Sequence, residues 1–215
     1  MKIGNVQLKN DLILAPMANY TDAGMRYLAS VYGAGLTVTE MVSAKGLCFN
    51  NPNTAALLET RERENCPVAV QLFGADPEYI KKAVEHPLLK DFDIIDINMG
   101  CPVAKVVKNG EGSALLRNPD LVYKVVKAAV SATNRPVTVK IRAANENRNF
   151  TEVIGLYDYR ILISEKWIQR RLTNVLKNGN RIQKWHSHQR NSDERRVWLV
   201  HASCIGFSPR LCSQA

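Results

Sequence analysis

Five short apolar runs recur along the first 145 residues and then stop, and that rhythm limits the chain more than any other feature of its sequence. The runs are Leu12-Ile13-Leu14-Ala15, Leu36-Thr37-Val38-Thr39, Val68-Ala69-Val70-Gln71-Leu72, Phe92-Asp93-Ile94-Ile95-Asp96-Ile97 and Val137-Thr138-Val139-Lys140-Ile141. They are short, rich in β-branched residues and too apolar to leave one face in water. Parallel strands covered on both sides read this way.

Segments of helical period lie between the runs. Thr21 to Tyr32 has Asp22 near its start and Gly33 just past its end, a matched pair of caps. Asp76-Pro77-Glu78 opens a second helix in the order of cap, first-turn proline and first-turn acid. Asn118-Pro119-Asp120 opens a third, with Leu121, Val122, Val125, Val126 and Ala129 on one side. Repeated β-α-β units predict a parallel sheet, either doubly wound or closed as a barrel. No Gly-x-Gly-x-x-Gly follows the first run, and the chain has no P-loop. The expected fold class is therefore α/β, with the first five strands of a TIM-type (β/α) barrel followed by an unassigned basic tail.

Composition divides the 215 residues at the same place. Met1 to Asn145 carries 17 Lys+Arg against 14 Asp+Glu, whereas Glu146 to Ala215 carries 12 against 6. The last third therefore supplies most of the net charge of +9. It also holds Trp167, Trp185 and Trp198, in no clear strand or helix series. A basic surface attracts nucleic acid and phosphate. The first apolar run ends at Pro16, too short for a signal-peptide core or a membrane span. A cytoplasmic protein without a membrane anchor is expected. The five Cys include no Cys-x-x-Cys pair and have no His at ligand spacing, so neither a disulfide framework nor a metal site is expected.

Active sites of both parallel architectures form at the carboxyl ends of the strands. The unusual residues gather there: Pro16-Met17-Ala18 after the first strand, Glu40-Met41 after the second, Gln71 to Gly74 at the third, Asn98-Met99-Gly100-Cys101-Pro102 after the fourth, and Lys140 with Arg142 at the fifth. Cys101 sits between a glycine and a proline that shape its turn. A free thiol is mostly protonated at neutral pH, which suits a proton donor better than a nucleophile. The local sequence equally allows Cys101 to pack the strand end, Gln71 to cap a backbone group and Lys140 to pair with a carboxylate. Lys105, Lys108 and Arg117 around the Cys101 turn fit either a phosphate contact or a solvated loop face.

Residues 1 to about 145 resemble the N-terminal portion of the bacterial tRNA-dihydrouridine synthase family. The resemblance rests on Leu14-Ala15-Pro16-Met17-Ala18, Val70-Gln71-Leu72-Phe73-Gly74, Asp96-Ile97-Asn98-Met99-Gly100-Cys101-Pro102, Gly112-Ser113-Ala114-Leu115-Leu116 and Val137-Thr138-Val139-Lys140-Ile141-Arg142. It implies FMN bound at the top of a barrel, NADPH as reductant, and tRNA as partner, with the C5–C6 double bond of a uridine reduced. It implies that Pro16, Met17 and Ala18 line the flavin ring, that Gln71 hydrogen-bonds its polar edge, and that Lys140 stabilises negative charge beside it. Cys101 would protonate the uracil ring, and Asn98 would hydrogen-bond a base extruded from the RNA.

The resemblance divides the chain into a flavin-binding barrel portion, 1–145, and a basic tail of unassigned fold, 146–215. The sixth strand and the glycine loops that hold the FMN phosphate in this family have no counterpart in that tail, so a truncated enzyme is expected. Competing readings are a flavin-dependent dehydrogenase of free pyrimidines and a non-catalytic RNA-binding fragment that uses the tail. An open half-barrel would expose its first and fifth strands as long edges, which lowers solubility. The abrupt break motivates the expectation that the reading frame departs from the ancestral one between about residues 145 and 155; the competing account is a diverged basic appendage. Translating the other two frames of the coding DNA should recover the missing strand and glycine loops, and their absence from both frames refutes the frame account.

Overall fold

The structure, a computed structural model, describes residues 1–59 and 64–141 and, beyond them, the backbone of strands at 144–145, 148–149 and 197–201. The other residues of the 146–215 tail, and with them the expected change of frame, lie outside the described residues.

The five expected strands are present and parallel. They are β3 (Ile13–Leu14), β4 (Leu36–Ser43), β5 (Val68–Phe73), β6 (Ile94–Met99) and β7 (Val137–Ile141), hydrogen-bonded in chain order as part of a half-barrel. An antiparallel hairpin, β1 (Lys2–Ile3) with β2 (Val6–Gln7), precedes them. Helices α1 (Ala23–Val31), α2 (Ala44–Cys48), α3 (Pro52–Ala56), α4 (Pro77–Val84), α5 (Ala104–Lys108) and α6 (Pro119–Ser131) connect them.

The caps read from the sequence hold these helices. Asp22 accepts from the Met25 N–H at 2.8 Å, Asp76 from Glu78 at 2.8 Å and Asn118 from Leu121 at 3.2 Å. Gly33 ends the first connection at φ +97°, a conformation a side chain would strain.

Strand alternation sorts the side chains into two layers. Val70, Leu72, Ile95, Ile97, Val137, Val139 and Ile141 face outward and form one core with Ile80 of α4 and Val125 of α6. On the other side, Val38, Ala69 and Ile94 pack with Ile3 and Leu8 of the hairpin region, a second cluster that floors the inner face at its amino end. Above this floor the inner positions turn polar.

Three expectations need correction. The second strand runs on through Glu40 and Met41 to Ser43, so those two residues lie within the strand and not after it. A register shift between Val38 and Met41 explains the extra length: two residues, Thr39 and Glu40, stand opposite Val70 alone. Next, the tail does contribute a strand, β10 (Val197–His201), parallel to β7 with Val197 beside Val137 and His201 beside Ile141. A short antiparallel pair, β8 (Ala144–Asn145) and β9 (Arg148–Asn149), intervenes. Finally, the fifth strand is not an open edge, because β10 covers it, and the first is only two residues long. Among the described residues α1 exposes an apolar face, with Met25, Leu28 and Val31 40–51% exposed.

A buried arginine ties α1 to the sheet. Arg26 is fully buried; its Nε meets Glu64 Oε1 at 3.2 Å and its Nη1 donates to the Thr21 carbonyl at 2.8 Å. Glu64 accepts a further hydrogen bond from Thr37 of β4 at 2.7 Å. Both charges are thus compensated, as burial requires.

Candidate active site

Three strands, β5, β6 and β7, deliver polar side chains to the carboxyl end of the inner face. In register, Gln71 of β5 stands beside Asp96 of β6, which stands beside Thr138 of β7. One step nearer the carboxyl end, Asn98 of β6 stands beside Lys140 of β7. Met41 of β4 is beside Gln71, a position it owes to the bulge. The bulge removes a regular ladder partner from the Gln71 N–H, and Thr39 Oγ1 takes that bond at 3.0 Å.

These side chains form one continuous chain of hydrogen bonds. Gln71 Nε2 donates to Asp96 Oδ2 at 2.6 Å, and Asn98 Nδ2 donates to Gln71 Oε1 at 2.9 Å. Thr138 Oγ1 lies 2.5 Å from the second Asp96 oxygen. At the other end, Asn98 Oδ1 accepts the backbone N–H groups of Gly100 at 3.2 Å and Cys101 at 3.0 Å. Gln71, Asp96, Asn98 and Thr138 are all buried. A buried polar network is stable only when its members are paired, and these are.

The Cys101 turn hangs on the Asn98 carbonyl and rests on a glycine. Gly112 has φ +59°, and a Cβ there would come 2.7 Å from the Cys101 carbonyl oxygen and 3.0 Å from the Cys101 Cβ. Ser113 donates its backbone N–H to the same carbonyl at 2.9 Å. The next residues anchor this support by burying Leu115 and Leu116. Cys101 itself is half-buried. Lys105, Lys108 and Arg117 around the turn are exposed.

The loop after β3 meets the same end of the sheet from the other side. Thr21 Oγ1 accepts the Met17 N–H at 3.0 Å, and the Asn19 N–H, at a left-handed φ of 65°, donates to Glu40 in the bulge. Pro16, Met17 and Ala18 are thereby held in a folded turn, with Met17 41% exposed.

Lys140 is half-buried, and among the described residues no carboxylate pairs with it at ion-pair distance. It acts on Asp96 through space, lowering that carboxyl's pKa together with the Thr138 and Gln71 hydrogen bonds. Burial outweighs all three and leaves Asp96 above the usual carboxylate value.

Gln71, Asn98, Cys101 and Lys140, singled out from the sequence, therefore meet at one end of the inner face, with Pro16–Ala18 at the same end in the loop after β3. Sequence reasoning passed over Asp96 and Thr138 as site residues. The signal for Asp96 was present: in Ile94-Ile95-Asp96-Ile97-Asn98-Met99 the two polar residues are two apart and so share a face.

A model of the family described as "Dihydrouridine synthase (Dus)" matches residues 13–154. The tRNA-dihydrouridine synthase B of Vibrio cholerae serotype O1 is 43% identical over 158 residues, covering 73% of this chain and 49% of that protein. The tRNA-dihydrouridine synthase B of Shewanella oneidensis is 43% identical over 155 residues, covering 71% and 48%. A solved structure of morphinone reductase in complex with tetrahydroNAD aligns over 66% of this chain and 62% of its own, at 12% identity and a TM-score of 0.44. The chain spans about half the length of the curated relatives it matches.

Asp96 gives the site a pH signature. Its folded pKa lies above the unfolded one, so the folded state holds the proton more tightly. Relative to an Asp96→Asn variant, the native chain should be most stable at pH values below the ordinary carboxylate range. It should lose that advantage as pH rises through the raised folded value. Urea unfolding of both proteins across a pH series reads this directly, and a pH-independent difference contradicts it.

Proposed function

Because the chain belongs to the dihydrouridine synthase family, we propose that it carries the substrate-facing part of an FMN-dependent reductase that converts tRNA uridines to dihydrouridine with NADPH as reductant. The observation that supports this most is the donor-lined mouth of the inner face. The Lys140 ammonium, with which no carboxylate among the described residues pairs at ion-pair distance, stands in register with Asn98, beside the buried Asp96 carboxylate.

The side chains present suit a flavin. Its pyrimidine edge is rich in hydrogen-bond acceptors, and the groups facing the mouth are donors: the Lys140 ammonium and the amide N–H of Gln71 not engaged with Asp96. Bound FMN, once reduced by NADPH, would supply the hydride, and an acid the proton, that together saturate the uracil C5–C6 bond. Gln71 would orient the polar edge, and Lys140 would offset negative charge there. Pro16, Met17 and Ala18 would line the ring face through their backbone.

On the substrate side, Asn98 would donate an N–H to the base. Cys101 Sγ would hold the proton destined for the ring carbon C5, and the Asn98 carbonyl would fix its place by gripping the backbone of the turn. The base must leave its stack to reach the inner face. The basic tail and the exposed Lys105 and Lys108 would add salt-dependent attraction for RNA phosphates without choosing a sequence.

The purified chain, loaded with FMN and given NADPH and tRNA lacking dihydrouridine, should form dihydrouridine measurable by nucleoside mass spectrometry. Cys101→Ala should keep the visible flavin band and lose at least about 100-fold of the rate. Full activity in that variant contradicts the assigned proton donor. A colourless protein that still retards tRNA in low salt contradicts the flavoenzyme reading and favours an RNA-binding fragment.

A further inference from the structure

The hydrogen bonds at the mouth have a direction, and the backbone sets it. The N–H groups of Gly100 and Cys101 donate to Asn98. A backbone N–H has no acceptor form, so the Asn98 atom facing them is oxygen, and the far end of that amide is its NH2. The NH2 meets Gln71 at 2.9 Å, so the Gln71 atom there is Oε1, and the Gln71 NH2 is turned toward Asp96 at 2.6 Å. The chain therefore runs donor to acceptor from Asn98 through Gln71 and ends on a side chain that must accept. Either protonation state of Asp96 satisfies this, since a proton on Oδ1 faces Thr138 and leaves Oδ2 to accept from Gln71.

We propose that Asp96 is a positioning residue that ends this chain as its acceptor, holding the polarity the backbone sets, so that the capacity left over at Asn98 is N–H donor and the site selects a pyrimidine edge carrying a carbonyl oxygen over one carrying an amino group. The inference rests on the reading of a pyrimidine base as substrate given above, and it adds the reason for the choice of base. Each amide has two N–H groups and uses one inside the chain. Among the described residues the Asn98 NH2 has, besides Gln71, only the Met41 sulfur at 3.9 Å, a weak acceptor. Uracil offers O4 to such a mouth. Cytosine offers an amino group at the same position, and donor would face donor. A buried polar mismatch of this kind is what lets a site reject an analogue of nearly equal shape. Asp96 and Thr138 sit two residues deeper than Asn98 and Lys140 and act through Gln71.

Exchanging the two ends of the chain tests this. Asn98→Asp alone sets a carboxylate oxygen against Gln71 Oε1, or turns Gln71 and sets Oε1 against Asp96. Asp96→Asn alone is tolerated, because its new amide oxygen still accepts from Gln71 while its NH2 donates to Thr138. In the double variant the direction reverses: the carboxylate at 98 accepts from Gln71 Nε2, and the amide at 96 donates to Gln71 Oε1. Thermal unfolding of the full chain without ligand should show Asn98→Asp lowering Tm by on the order of 5 °C or more. Asp96→Asn should lower it less, and the double variant should recover most of the Asn98→Asp loss. Recovery of a folded double variant from an unfoldable Asn98→Asp counts equally in support. Additive losses, or a double variant that fails to fold, overturn the polarity.

A second measurement reads the consequence. Two RNA hairpins differing in one looped base, uracil or cytosine, are titrated against the FMN-loaded chain by fluorescence anisotropy. The native chain should prefer uracil about 10-fold, and the double variant should lose or invert that preference. Equal binding of both RNAs by the native chain overturns the selectivity while leaving the family reading intact. Binding of neither overturns the proposed function and the selectivity built on it, and the thermal cycle still decides the polarity independently.

Discussion

A carboxylate buried in the half-barrel is the constraint around which the site is organised. Asp96 is buried away from solvent, and Gln71 and Thr138 supply its hydrogen bonds. Gln71, once committed to Asp96, presents its oxygen to Asn98, and Asn98 turns its own oxygen to the backbone of the Cys101 turn. Three strands and a loop are thereby fixed by one set of mutually dependent bonds. The thiol, the two amides and the Lys140 ammonium inherit their places from it. Removing one member would orphan its neighbours, which makes the network a source of geometric precision more than of net stability.

The apolar parts of the fold exist in service of that layer. The outer core of Val70, Leu72, Ile95, Ile97 and Val139 against α4 and α6 holds the register that sets Gln71 beside Asp96 and Asp96 beside Thr138. A one-residue slip would send all of them to the helices. The floor of Ala69 and Ile94, sealed by Ile3 and Leu8, closes the inner face at its amino end. The bulge in β4 and the glycine at 112 are local departures from regular structure. Each allows a close approach at the mouth: Met41 beside Gln71, and the 112–117 turn against Cys101.

Much of this was readable from residues alone. The β-branched runs, the Asp-Pro and Asn-Pro helix starts and Gly33 specify local geometry, and they recur as strands and capped helices. Gln71, Asn98, Cys101 and Lys140 stood out because they fall at the carboxyl ends of apolar strands, and the family resemblance gave them roles that the local sequence left open. Asp96 did not, because a carboxylate inside an apolar run reads as an interruption until its neighbours across the sheet are known, and Thr138 looks like an ordinary strand residue. Glu40 was misplaced because a bulge leaves no mark in the pattern of one strand taken alone. The strand at 197–201 was missed for a related reason: Val197-Trp198-Leu199-Val200 is apolar enough, but it follows a long polar stretch and its partner is some sixty residues away. Pairing across that distance is a tertiary fact, and local propensity does not encode it.

The account stands or falls on whether the mouth of the inner face receives a flavin, with Lys140 as the cation that holds its polar edge. Titrating FMN with the purified chain and following quenching of flavin fluorescence measures this most directly. Saturable quenching that weakens at least about 10-fold in Lys140→Met is the result expected from the loss of a charge-assisted contact. FMN fluorescence unaffected by the native chain, or equal binding by the two proteins, would contradict it.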